Sequence, residues 1–138
     1  MTVDDCIFCK IAGGEIPCKK IYEDDAVLAF LDIRPVSDGH TLVIPKMHFE
    51  KFDECSVEVL GKVSCCLGKI AKAVVDAMGA AGYNVLCNTG RAAGQLVDHV
   101  HFHIIPRNEG DGVFTRWPAY EYEQGLADVI AAKICEKL

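Results

Sequence analysis

The chain has 138 residues, 51% hydrophobic, 8% aromatic and 25% charged, a composition that argues against disorder and supports a core able to fold without disulfides. Its formal net charge of −6 argues against a cationic surface for duplex nucleic acid, but leaves room for a small anion held by backbone amides and histidines. No apolar run reaches about 18 residues, so no membrane-spanning helix is expected.

Met1 to Asp5 carry neither the basic nor the apolar region of a secretory signal. A reducing cytoplasm is therefore the expected setting for the eight cysteines. There is no repeat, low-complexity tract or Pro/Ser-rich linker, and residues 1–138 read as a single domain. Cys6 to Gly13 reads as a short helical turn closed by Gly13-Gly14. Lys20 to Glu23 and Ala26 to Leu31 read as a hairpin turning at Asp24-Asp25. Asp32 to Gly39 is a loop broken by Pro35 and Asp38-Gly39, and His40 to Pro45 is a further strand. Ser56 to Met78 is the main helix, with Ser56 as N-cap and Glu58 in the first turn. Its apolar face is Val59, Leu60, Val63, Leu67, Ile70, Val74 and Met78, and Gly79 and Gly82 end it. Asn84 to Asn88 is a strand, Thr89 to Asp98 a glycine-containing loop, and His99 to Pro106 a strand of strict alternation. Gly110-Asp111-Gly112 is a turn and Glu121 to Leu138 a C-terminal helix. Hairpin, strand, helix, two strands and helix give an antiparallel sheet with helices, class α+β. Cys65, Cys66, Cys87 and Cys135 fall in apolar or helical stretches and read as small buried hydrophobes.

The most informative segment is Asp98 to Pro106. In a strand, His99, His101 and His103 share one face, about 7 Å apart, while Val100, Phe102 and Ile104 turn to the core. Three readings stand: hydrogen-bonded strand histidines, an all-histidine metal site, or a catalytic group. The last has a clear chemistry, since neutral imidazole is a nucleophile toward phosphorus near its ordinary pKa of ~6.5. Cys6-x-x-Cys9 is a half-site for tetrahedral zinc. A redox dithiol is the rival, though the thioredoxin-like βαβ unit it usually follows is missing.

His99-Val100-His101-Phe102-His103-Ile104-Ile105 matches the histidine triad signature. Around it stand Cys6 to Ile11, Glu15-Ile16-Pro17, Tyr22-Glu23-Asp24, Phe30 to Ile33, Gly39 to Lys46 with His48, and Asn88 with Gly94-Gln95. Over about residues 6–117 the chain resembles the Hint-type branch of the histidine triad superfamily. The uridylyltransferase branch carries His-Pro-His; Phe102 and the third histidine, His103, favour the hydrolase side.

That resemblance implies a half-barrel α+β fold. It has a five-stranded antiparallel sheet, one long central helix and a C-terminal helix. It implies a purine nucleoside phosphoramidase in which His101 attacks the α-phosphorus, forms a nucleotidyl-histidine and releases AMP. His101 would donate its other ring proton to the His99 carbonyl, and His103 and His40 would contact phosphate oxygens or the leaving group. Asn88, Gly94 and Gln95 would bind the phosphate side and Asp32 the ribose, with Phe8, Ile11, Leu31 and Ile33 as apolar walls around the base. His48 and His99 would join Cys6 and Cys9 around one structural, non-catalytic zinc per chain. A homodimer is implied, with the Ser56 to Met78 helix offering an apolar face for it and Trp117-Pro118 crossing to the partner's site. Leu96 stands where many relatives have Ser. Rival readings are a dinucleoside polyphosphate hydrolase, a nucleotide-binding or scaffold protein with little turnover, and a protein whose histidines all bind metal.

Overall fold

Two runs of the sequence, Val27–Leu31 and Thr41–Pro45, are almost wholly apolar, as strands covered on both faces must be. A computed structural model describing residues 3–114 and 118–138 places them as β2 and β3 at the middle of a five-stranded antiparallel sheet. The elements in chain order are α1 (Ile7–Ala12), β1 (Lys20–Glu23), β2, β3, α2 (Val57–Met78), β4 (Gly82–Cys87), β5 (Phe102–Arg107) and α3 (Leu126–Cys135). The strand order across the sheet is β1-β2-β3-β5-β4. The first hairpin closes where the Asp24 carboxylate accepts from the backbone N–H groups of Ala26 and Val27, at 2.9 and 2.8 Å.

The sheet separates two apolar clusters. On one side α2 lays Val63, Cys66, Ile70, Ala71 and Val74 against Val27, Ala29, Val43 and Ile104. On the other, Cys6 and Phe8 cover Leu28, Phe30, Leu42 and Ile44. Register sets which residues face which side. Phe30 lies opposite Leu42, Leu42 opposite His103, and His103 opposite Leu86, so one row crosses four strands. A slip of one residue would turn His103 into the α2 cluster. The ends of α2 follow from its capping residues. The Ser56 hydroxyl accepts from the Val59 N–H, and Gly79 takes the left-handed conformation (φ 59°) that closes the helix.

Several expectations need correcting. Most of the apolar face of α2 is buried against the chain's own sheet, while Met78 at its end is exposed. Gly82 opens β4 instead of ending α2. β5 begins at Phe102: the His99 N–H bonds back to the Val97 carbonyl and the Val100 N–H bonds Phe49, which takes both out of the ladder. His99 and His101 therefore sit in an irregular approach to the strand, and only His103 lies within it. α3 spans ten residues, since Gly125 (φ 80°) stands outside it as N-cap, and none of its residues is buried. Cys65 and Cys135 are exposed; Cys65 falls one position off the buried stripe that holds Cys66. Trp117 lies outside the described residues. No helix among the described residues is long and apolar enough to cross a membrane.

Gly39 ends the loop that delivers His40. Its φ is +86°, and a Cβ there would stand 2.6 Å from Met78 Cγ. Gly39→Ala is expected to cost about 1–2 kcal/mol from the left-handed backbone alone, plus the clash. In urea unfolding, Gly39→Ala with Met78→Ala should recover the clash and leave the backbone cost.

Candidate active site

All five histidines of the chain lie in two adjoining clusters on the α1 side of the sheet. The tautomers of three of them are each set by a backbone group with only one possible role, and a fourth follows from these. A carbonyl accepts only, so His101 Nδ1, 2.6 Å from the His99 carbonyl, carries its ring proton. Its Nε2 is left as a lone pair. By the same rule His99 donates from Nε2 to the Pro45 carbonyl at 2.8 Å, leaving Nδ1 as a lone pair. An amide only donates, so His40 Nδ1, 3.2 Å from the Val36 N–H, is an acceptor and its Nε2 carries the proton. That Nε2–H meets His103 Nδ1 at 2.8 Å. His103 must therefore hold its proton on Nε2, and this buried donor has no hydrogen-bond partner among the described residues. An orphaned buried donor costs roughly 1–3 kcal/mol, which marks it as a group kept for something outside the chain.

Burial favours the neutral rings. It pushes His103 down to about 4, helped by the nearby His101 and His40 rings. His101 is pushed below its ordinary value by burial, against the opposing bond to the His99 carbonyl. His40 is lowered by burial and partly restored by Asp32, whose carboxylate lies 3.8 Å from Nε2. The ring centres of His101 and His103 are 5.0 Å apart, and that of Phe8 packs edge-on 5.1 Å from His101.

The second cluster is Cys6, Cys9, His48 and His99, whose donor atoms all lie within 4.8 Å of one another. The His99 lone pair faces Cys6 Sγ at 3.4 Å, Cys9 Sγ at 3.6 Å and His48 Nδ1 at 3.3 Å, while Cys9 Sγ to His48 Nδ1 is 3.4 Å. A tetrahedral zinc with bonds of about 2.3 Å to sulfur and about 2.0–2.1 Å to nitrogen has S···N edges of about 3.5 Å and N···N edges of about 3.4 Å. The residues fit a metal ion of that kind. Burial and the neighbouring Cys6 thiol push Cys9 up to about 11, so this thiol resists ionising without a cation. Asp32, His40 and His103 also cluster, but there the facing atoms share a proton and the Val36 amide blocks the alternative tautomer, which disfavours a metal.

A cavity of about 260 Å³ opens beside the triad. His101, His103, Gly94 and Asp32 line it, with Phe8, Ile11 and Ile33 among its apolar walls. Leu31 does not: alternation along β2 turns it to the α2 side, beside Ile21 and Met78. Phe30 takes its place, and residues i and i+2 around Asp32 carried that signal in the sequence. Ile7, Arg34, Leu42, Leu96 and Val97 also line the cavity and were not singled out for it. Asn88 does not border it; its Nδ2 lies 3.6 Å from where a Gly94 Cβ would stand. Gln95 is buried. Both of its amide hydrogens are used, by the Glu50 and Val97 carbonyls at 2.7 and 3.1 Å, and its Oε1 accepts from the Gly90 N–H at 2.7 Å. It braces the loop and has no donor left for a phosphate. Gly94 (φ +89°) forms the left-handed end of the short turn in that loop.

The HIT domain family model matches residues 13–110. The chain is 49% identical to the adenosine 5'-monophosphoramidase of Schizosaccharomyces pombe over 134 residues, 94% of this chain and 98% of that enzyme. A crystal structure of a HIT family member from Bacillus subtilis superposes with a TM-score of 0.90 at 43% identity, covering 97% of each chain. A zinc-bound histidine triad family protein from Mycobacterium smegmatis superposes with a TM-score of 0.76 at 37% identity, covering 99% of this chain and 100% of that one.

His103 titrates near 4 in the folded chain against ~6.5 unfolded. The unfolded chain therefore takes up the proton first, and stability is lost as pH falls from about 6.5 toward 4. Urea midpoints measured between pH 7 and 4 should fall less steeply for His103→Asn than for the wild type.

Proposed function

The chain belongs to the HIT domain family, and from that premise we propose that it hydrolyses a purine nucleoside 5'-phosphoramidate or a related nucleotide derivative. The product is the nucleoside 5'-monophosphate. The observation that carries this reading is the locked tautomer of His101: Nδ1–H is held by the His99 carbonyl, and the neutral ring keeps a lone pair on Nε2 at a cavity wall.

His101 Nε2 attacks the α-phosphorus, forming an N–P bond as the bond to the leaving amine breaks. The amine departs with a proton drawn from solvent. Water then attacks the nucleotidyl-histidine, the N–P electron pair returns to His101, and the proton of the attacking water passes to solvent. Dividing one displacement into two lets each proceed in line with a good partner. The orphaned Nε2–H of His103 suits a phosphoryl oxygen, where charge builds up as the bonds exchange. His40 holds His103 in the required tautomer. Asp32 accepts from the ribose hydroxyls, and Phe8, Phe30 and Ile33 flank the base. The backbone at Gly94 suits the phosphate side, and Gln95 shapes that loop.

Cys6, Cys9, His48 and His99 suit one structural zinc. Bound there, it would tie α1 to the segment before β5; four protein ligands leave no open position for a substrate. In the same reading residues 1–138 are one domain, working in the cytoplasm as a homodimer. The free edge of β4, with Tyr83 and Val85 exposed, supports a partner there.

With adenosine 5'-phosphoramidate, the wild type should release AMP and show an adenylyl adduct in acid-quenched intact mass. His101→Ala should lose the adduct and at least about 10³-fold of the rate. Binding of AMP with neither turnover nor adduct in the wild type would make the chain a nucleotide-binding protein.

Metal analysis should find about one zinc per chain in the wild type and in His101→Ala, and markedly less in Cys9→Ser. Loss of metal in His101→Ala would place the catalytic imidazole among the ligands and overturn this division of the histidines.

A further inference from the structure

Resting on the hydrolase reading above, we propose that Arg34 selects the base, and that the preferred substrate carries a 6-oxopurine, guanine or hypoxanthine, in preference to adenine. The polar side chains on the cavity wall are few: His101, His103, Asp32 and Arg34. The two histidines occupy the end where phosphorus reacts, and Asp32 stands next to them, 3.8 Å from His40 Nε2. Arg34 follows Asp32 by two residues, beside Ile33 and away from the histidines along the chain.

The two are coupled in one turn. Asp32 Oδ1 accepts from the Arg34 backbone N–H at 2.8 Å, so the carboxylate that suits the ribose fixes where the arginine begins. The guanidinium makes no salt bridge or side-chain hydrogen bond among the described residues, in a chain whose formal net charge is −6. Every other side chain on the cavity wall beyond Asp32 is apolar and can only stack or pack. Among the side chains, the base edge is therefore left to Arg34.

Chemistry decides which purine. A guanidinium presents two parallel N–H donors, and the O6 and N7 of guanine or hypoxanthine are two acceptors at matching spacing. Adenine keeps N7 but replaces O6 with an amino donor, so one of the two bonds becomes a donor facing a donor. A good bidentate pair discriminates by an amount that includes roughly tenfold. A distal phosphate is a poorer occupant, since the phosphate end lies with His101 and His103.

The test compares kcat/KM for guanosine, inosine and adenosine 5'-phosphoramidates in the wild type, Arg34→Ala and Arg34→Lys. Guanosine and inosine substrates should exceed adenosine by about tenfold in the wild type, because the 2-amino group is not read. Arg34→Ala should bring that ratio to about one, and Arg34→Lys, with a single point charge, should keep part of it. A wild-type ratio near one, or a ratio that Arg34→Ala leaves unchanged, overturns the proposal. If none of the three substrates turns over, the hydrolase reading fails by itself. Calorimetric affinities for GMP, IMP and AMP with the same variants then decide base selection by the same ratios.

Discussion

The carbonyl of Pro45, at the end of β3, receives the Nε2–H of His99, and the chemistry of the whole site depends on that bond. It turns the Nδ1 lone pair of His99 toward Cys6, Cys9 and His48. It also fixes where the His99 backbone lies, and the carbonyl of that residue determines which nitrogen of His101 bears a proton. One fully buried ring thus serves two clusters: its side chain belongs to the donor set and its backbone orients the neighbouring imidazole. The Val36 amide does the same for His40 and, through it, for His103. Three groups of the main chain determine four tautomers: the carbonyls of Pro45 and His99 and the Val36 amide of the loop between β2 and β3.

This arrangement also explains how α1 persists. A helix of six residues with no side-chain N-cap cannot hold itself in water. What it has is Phe8, whose ring packs edge-on against Phe30, His99 and His101, and two thiols on either side of its first turn. Burial and the neighbouring Cys6 thiol keep Cys9 protonated on its own. A bound dication reverses that balance, since thiolates are the ligating form and their negative charge is then matched. With a dication bound there, as proposed, metal binding, docking of α1 and orientation of His101 would be one linked equilibrium.

The order and type of the elements could be read from periodicity because each run is either alternating or helical over most of its length. α2 is the clearest case, with a hydroxyl cap, a three-and-four apolar spacing and a left-handed glycine at its end. What could not be read was how local hydrogen bonds break a pattern. His99 to Ile104 alternates, yet the strand starts at Phe102 because Val100 bonds to Phe49, a residue distant in sequence. Leu31 was misplaced although parity was available: Asp32 and Phe30 share a face and Leu31 does not. Gln95 looked like a donor for a ligand because its residue type allows it. Only the folded loop shows that Gly90, Glu50 and Val97 use the whole amide. The Cys6, Cys9, His48 and His99 set spans 93 residues between its outer members, so the resemblance suggested it and spacing alone did not.

The two sides of the sheet differ in how completely their groups are compensated. The α2 side is an apolar cluster under a helix capped at both ends. The α1 side holds the buried His103 donor, which has no acceptor among the described residues, and the Cys9 thiol, which resists ionisation. Both are unfavourable in the isolated chain; in the proposed reading a phosphoryl oxygen would relieve the first and a metal ion the second. Local costs of this kind persist only where the surrounding fold is stable enough to carry them. Here the row from Phe30 through Leu42 and His103 to Leu86 binds the costly face to the stable one through strand register. A change that loosens the α2 core should therefore reach the site through register before it touches any residue that lines the cavity.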